Sequence, residues 1–186
     1  MTRLISIIIF FQVNYVVYSQ GQDSVKCWCP EDKLKWIDFK GDPPDNESGW
    51  NLYATTVYEF IPEVNRRSDV LTYDVRLVFK KYQSWAKDTS LNLLAHEQLH
   101  FDIAELFARR LRKKINEISK VVPSPSHQLF FEEIEKIYNQ NFEMQRKYDV
   151  ETAHGIIKEE QAKWEERIKN ELTNLKSYRS KTKDCN

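Results

Sequence analysis

Apolar and polar residues along the chain fall into stretches of two different periods. Leu71, Tyr73, Val75, Leu77 and Phe79 alternate with Thr72, Asp74, Arg76 and Lys80, broken only at Val78. A period of two predicts a strand. The run from Trp50 to Phe60, rich in Tyr, Thr and Val, predicts another, and the two are expected to pair antiparallel in a small sheet. From about Thr89 the period lengthens. Leu93, His96, His100, Ile103, Ala104, Phe107, Leu111 and Ile118 share one stripe at helical spacing. This predicts a helix from near Thr89 to about Lys120, ended by Pro123 and Pro125. Ser124 as N-cap and Pro125 at the first helical position predict a second helix reaching roughly Lys147. A third is predicted from about Asp149 to Leu175, with His154, Ile157, Gln161, Trp164, Ile168, Leu172 and Leu175 on one stripe. Strands followed by helices make the fold class α+β, a small antiparallel sheet followed by three main helices.

The ends of the chain differ from this middle. Arg3 precedes an apolar run from Leu4 to Phe11, and Val17 and Ser19 suit a signal-peptidase cut before Gln20. Residues 1–19 therefore predict a signal peptide, 20–176 one domain and 177–186 a polar tail. Gln12 and Asn14 interrupt an apolar run already short of the roughly 20 residues a membrane span needs. The mature protein is expected to be secreted or periplasmic, with no integral membrane segment after cleavage. Of the three cysteines, Cys185 is expected to bond Cys27 or Cys29, leaving one thiol over.

Composition narrows the partners. Lys plus Arg and Asp plus Glu are both 28, and this balance argues against nucleic acid, whose phosphates call for a basic face. Four glycines in 186 residues are too few for the many tight turns of a sandwich or barrel.

Within the first helical stripe lies His96-Glu97-Gln98-Leu99-His100. Residues four apart stand about 40° apart around a helix axis, so both imidazoles can face one metal ion. Glu97, about 100° from His96, can face a water on that metal without ligating it. Two histidines on a buried stripe would be costly without a partner. Asp102 and Glu105 lie too far round the helix to share the metal and suit supporting or surface roles, Asp102 orienting a neighbouring segment. A third ligand must come from elsewhere. His154 heads the buried stripe of the third helix beside Gly155, which permits close approach. Glu151, one turn earlier, is the runner-up, and His127 reads as a capping histidine. Tyr148, six residues before His154, is the candidate oxyanion donor.

Three stretches carry a resemblance to a known family. They are Leu94-Ala95-His96-Glu97-Gln98-Leu99-His100-Phe101-Asp102-Ile103-Ala104-Glu105, then Tyr148-Asp149-x-Glu151-Thr152-x-His154-Gly155, and earlier Leu34-x-Trp36-x-Asp38-Phe39-x-Gly41-x-Pro43-Pro44 with Ser84-Trp85. Together they resemble the bacterial family of predicted secreted zinc-dependent proteases. Leu99 stands where that family often has glycine. The resemblance implies a zincin-type metallopeptidase with His96, His100 and His154 on zinc. The expected function is thus hydrolysis of a polypeptide substrate by a zinc-bound water, with Glu97 as general base. The rival functions are a zinc-binding or helical interaction module without catalysis, and a zinc amidase acting on a non-protein amide.

Overall fold

The computed structural model describes residues 24–45, 53–67, 70–121 and 127–180. The expected signal peptide, Ser124, Pro125 and Cys185 lie outside them. Among the described residues ten elements follow one another, and eight matter here: β1 (Val25–Cys27), β2 (Ala54–Thr55), β3 (Tyr58–Arg67), β4 (Val70–Lys80), β5 (Trp85–Ala86), α1 (Leu91–Val121), α2 (His127–Thr152) and α3 (Lys158–Asn174). The class is α+β, with a small antiparallel sheet and three helices.

The main sheet has the order β1-β4-β3, all antiparallel. Alternation along β4 puts Tyr73, Val75, Leu77 and Phe79 into the core. Val78, the break in the pattern, is fully buried as well, on the central strand between Cys27 of β1 and Glu59 of β3. The strand expected over Trp50–Phe60 is divided. Ala54–Thr55 pairs with Trp85–Ala86 in a separate ladder, and the main-sheet strand starts at Tyr58 and runs on to Arg67. Buried Ser84 sits at the division, its Oγ accepting from Val57 N (2.9 Å) and donating to Lys80 O (2.9 Å). Pro62 is tolerated because β3 is an edge strand.

Helix α1 forms the axis of the fold. From Leu99 to Leu111 it is buried almost all round, with Ile103, Ala104, Leu106 and Ala108 at 0% exposure. A helix apolar on every side belongs in a core, and α1 packs on β4, α2 and α3. The buried charges in its middle are paired. Glu105, expected near the surface, is enclosed and accepts from Arg109 Nε (2.8 Å) and Arg112 Nη1 (3.2 Å). These arginines also donate to Leu172 O and Tyr178 O, so the start of the polar tail is docked rather than loose. Asp102 Oδ1 accepts from Trp28 Nε1 (2.6 Å) and Gln98 Nε2 (2.7 Å), and Lys33 closes on it, the orienting role expected of it. Cys27 is disulfide-bonded and Cys29 keeps its thiol.

The second helix extends past its expected end at Lys147 to Thr152, and the third begins only at Lys158. Asp149, Val150 and Glu151 therefore belong to α2. The α2–α3 turn is a Schellman motif: His154 N donates to Asp149 O (2.9 Å) and Ala153 N to Val150 O (3.3 Å). Ala153, His154 and Gly155 all have positive φ, at 47°, 55° and 81°. Two consecutive non-glycine residues in that region cost roughly 1–2 kcal/mol each. Thr152 Oγ1, accepting from Gly155 N (3.1 Å), helps to hold them there. No helix among the described residues is long and apolar enough to cross a membrane.

Candidate metal centre

His96 and His100 lie one turn apart on α1, and their rings meet edge to face with Nε2 atoms 3.0 Å apart. Asp149, three residues before the end of α2, places Oδ1 3.2 Å from His96 Nε2 and 3.0 Å from His100 Nε2. These three form the metal-capable cluster found among the described residues. The triangle, 3.0–3.2 Å on a side, is slightly tighter than one face of a tetrahedral zinc shell, in which bonds of about 2.0–2.2 Å separate ligand atoms by about 3.3–3.5 Å.

The tautomers point the same way. Gln161 Oε1 accepts from Tyr148 OH (2.6 Å) while its Nε2 donates to Glu165 (2.9 Å). The amide oxygen must then face His96 Nδ1 at 3.4 Å, so Nδ1 carries the proton. Gln145 behaves alike. Its Nε2 donates to His100 O (3.0 Å), which leaves Oε1 to accept from His100 Nδ1 at 2.6 Å. Both Nε2 atoms are left as lone pairs, aimed at each other and at a carboxylate. Such orientation by outer hydrogen bonds is characteristic of metal-ligating histidine. Three electron-rich atoms about 3 Å apart repel unless a cation lies between them. Asp149 Oδ1 is buried yet makes no well-aligned hydrogen bond, and neither does Glu97 Oε2. Two orphaned carboxylate oxygens in one place fit a metal and a water, and a hydrogen-bonded core leaves no such pair.

Charge is tuned accordingly. Burial pushes the Asp149 carboxyl upward, but in the metal-free protein the interactions it gains with the protonated forms of His100 and His96, and their charges, win and hold it far below the usual carboxylate range. Burial alone would lower His100; its hydrogen bond to Asp149 and the charges of Glu97 and Asp149 raise it instead.

Each expected residue has a definite place. His96, Glu97 and His100 come together as anticipated, His96 and Glu97 almost fully buried. His154 stands at the rim with a 60% exposed side chain, Nδ1 3.5 Å from Asp149 Oδ1, outside the cluster of three. Because α3 starts at Lys158, it does not head a buried helical stripe. Glu151 turns away, accepting from Trp164 Nε1 (2.9 Å) and facing Lys147. Tyr148 corrects the oxyanion-donor expectation. It is fully buried behind the histidines, stacked on His96 with ring centroids 4.6 Å apart, and its hydroxyl is spent on Gln161. Its hydroxyl is held neutral by that burial, against the pull of the hydrogen bond to Gln161, and by the negative charges of Glu97, Asp149 and Glu165. His127 opens α2, its side chain outside the description.

Sequence reasoning missed Asp149, Gln145 and Gln161 as members of the site. A signal for the α2 pair exists: Ile134, Ile137, Asn141, Gln145, Tyr148 and Thr152 follow helical spacing but turn polar along the stripe. A buried stripe that becomes polar marks a place where polar partners meet.

The cluster lines a pocket of about 240 Å³ whose other wall includes Tyr53, Thr55 and Leu93. Thr56 Oγ1 donates to Glu97 O (3.2 Å), tying that wall to α1. A larger groove of about 650 Å³, between Trp28, α1 and α3, contains none of these histidines.

Gly155 completes the support. A Cβ there would come within 3.0 Å of His96 Cβ and Cγ, on a backbone already at φ 81°. Gly155→Ala is expected to cost at least about 2 kcal/mol, combining left-handed strain with overpacking. A lowered melting temperature in the metal-free protein checks this, and an unchanged one refutes it.

No curated protein and no solved structure matches the chain. A family model described as bacterial protein of unknown function (DUF922) matches residues 51–155, more than half of the chain, from before β2 through Gly155. With α1, α2 and the whole histidine–aspartate cluster inside the matched segment, the chain belongs to that family.

Proposed function

We propose that the protein is an exported, zincin-type zinc hydrolase that cleaves peptide bonds, with zinc held by His96, His100 and Asp149. One observation carries the reading: the two unprotonated Nε2 atoms and Asp149 Oδ1 converge on a common point, with the buried, unpaired Glu97 Oε2 beside them. Three protein ligands suit a catalytic shell, whereas structural zinc sites usually close with four. The pocket beside the cluster gives a substrate carbonyl access. Zinc in such a shell supplies a Lewis acid that brings the pKa of water towards 7 and polarises a carbonyl. Glu97 takes the proton from the attacking water as its oxygen bonds to the carbonyl carbon. The same carboxyl returns that proton to the amine as the carbon–nitrogen bond breaks. Gln145 and Gln161 keep each histidine in its ligating tautomer, and Tyr148 packs both rings from behind. Export is supported by Arg3 and the apolar run after it.

The test is direct. Purified protein is expected to hold one zinc per chain by mass spectrometry and to cleave unfolded casein. A chelator should abolish cleavage and added zinc restore it; a metal-free, inert protein refutes the reading. Zinc affinity should also depend on pH. Because Asp149 and Glu97 raise the pKa of His100, the proton competes with metal to a higher pH than at an ordinary histidine. Asp149 stays ionised throughout. Affinity should therefore fall as pH drops through that raised value, about tenfold per unit for each proton displaced. Competition titrations from pH 8 to pH 5 measure it.

A further inference from the structure

Three histidines surround Asp149, and they are not equivalent. His96 and His100 each have Nδ1 on a glutamine oxygen. The ring of His154 makes no hydrogen bond among the described residues, and its Nδ1 stops 3.5 Å from Asp149 Oδ1. A ligating histidine almost always has its second nitrogen held by an outer partner; this one has none. It is 60% exposed where His96 is 3%, and it lines the pocket beside Glu97. Its backbone is nevertheless fixed with unusual care. His154 N is the donor of the long Schellman bond to Asp149 O, and the residue sits between two others of positive φ. Strain of this kind collects at functional sites, where the surroundings enforce it. The fold therefore sustains a cost to set one solvent-facing imidazole at the rim of the site, tied to the backbone of the third ligand.

We propose that His154 is a substrate-facing catalytic residue rather than a metal ligand, donating a hydrogen bond from its free ring N–H to the carbonyl oxygen of the scissile amide. This role rests on the hydrolase reading above. It also supplies the oxyanion donor that buried Tyr148 cannot be.

The experiment uses the mature zinc-loaded protein, with unfolded casein and a quenched fluorescent peptide library as probes. His154→Ala should keep one zinc per chain and leave the visible spectrum of the cobalt-substituted protein unchanged. Its kcat should fall about 10²–10³-fold, as for loss of one oxyanion donor, with KM moving only a few-fold. His154→Gln, which restores a donor at similar reach, should recover part of the rate. Loss of zinc or a changed cobalt spectrum in His154→Ala would make the residue a ligand and overturn the proposal. Wild-type kcat in His154→Ala, or a fall shared equally by the Gln variant, would overturn it too. An inert, zinc-loaded wild type would instead sink the hydrolase reading itself, and this role with it.

Discussion

Glu97→Gln is expected to keep one zinc per chain and to lower amide hydrolysis by about 10²–10⁴-fold, the usual contribution of a positioned general base. The substitution changes little but the charge and basicity of one group. Glu97 is buried at 4% exposure, and its Oε2 has no hydrogen-bond partner. A glutamine fits the same space, but its amide nitrogen carries protons and cannot take another. The ligand triangle of His96, His100 and Asp149 does not include residue 97, so metal content should stand. Loss of one negative charge should also lower the pKa of His100, since Glu97 is one of the groups that raise it. Zinc should then bind the variant to a somewhat lower pH than it binds the wild type. Parallel assays of metal content and turnover decide the matter. Full activity would remove Glu97 as the base, and loss of zinc would mean that the carboxylate itself ligates.

How far the sequence led can be judged residue by residue. The first helix was placed within two residues at its start and one at its end, because its stripe is long and both histidines lie on it. The sheet was legible where β4 alternates, and illegible where Ala54–Thr55 leaves the main sheet, since residues 50–60 have strand character throughout. The placing of His154 and Asp149 went astray for a sharper reason. Which residue of 147–155 faces α1 depends on where α2 stops, and α2 runs five residues beyond its expected end. The stop is made by left-handed Ala153 and His154; alanine gives no cue for that conformation, and histidine gives only a weak one. Gly155, the visible cue, comes two residues after the Schellman C′ position. With the helix end misplaced, His154 was set on a buried helical stripe it does not occupy, and Asp149 was set at a helix start.

Asp149→Ala should therefore remove the metal, and it separates the three ligand sets more cleanly than any other change. Structural zinc is held by about 10–16 kcal/mol over four ligands, or about 2.5–4 kcal/mol each. Loss of one ligand should thus weaken binding about 10²–10³-fold, measured by competition with a chromophoric chelator. Asp149→Asn should fall nearly as far, because the amide keeps the shape but withdraws the charge that faces both Nε2 atoms at 3.0–3.2 Å. Glu151→Ala should leave affinity unchanged, since that carboxylate is engaged by Trp164 and Lys147 on another side of α2. If zinc survives in Asp149→Ala but is lost in His154→Ala or Glu151→Ala, the third ligand lies there and the triangle is a contact without metal. The metal-free protein offers a second reading of the same change. The interaction with Asp149 is the largest that raises His100 against the cost of its burial, so its removal should bring the His100 pKa down. A folded-state pKa held above the unfolded value adds stability below the unfolded value and loses it as pH rises through the folded one. The metal-free Asp149→Ala protein should accordingly lose stability relative to wild type near pH 5 and lose less of it near pH 8. That pattern follows from Asp149 facing His100 Nε2 at 3.0 Å, the two groups that would share the zinc.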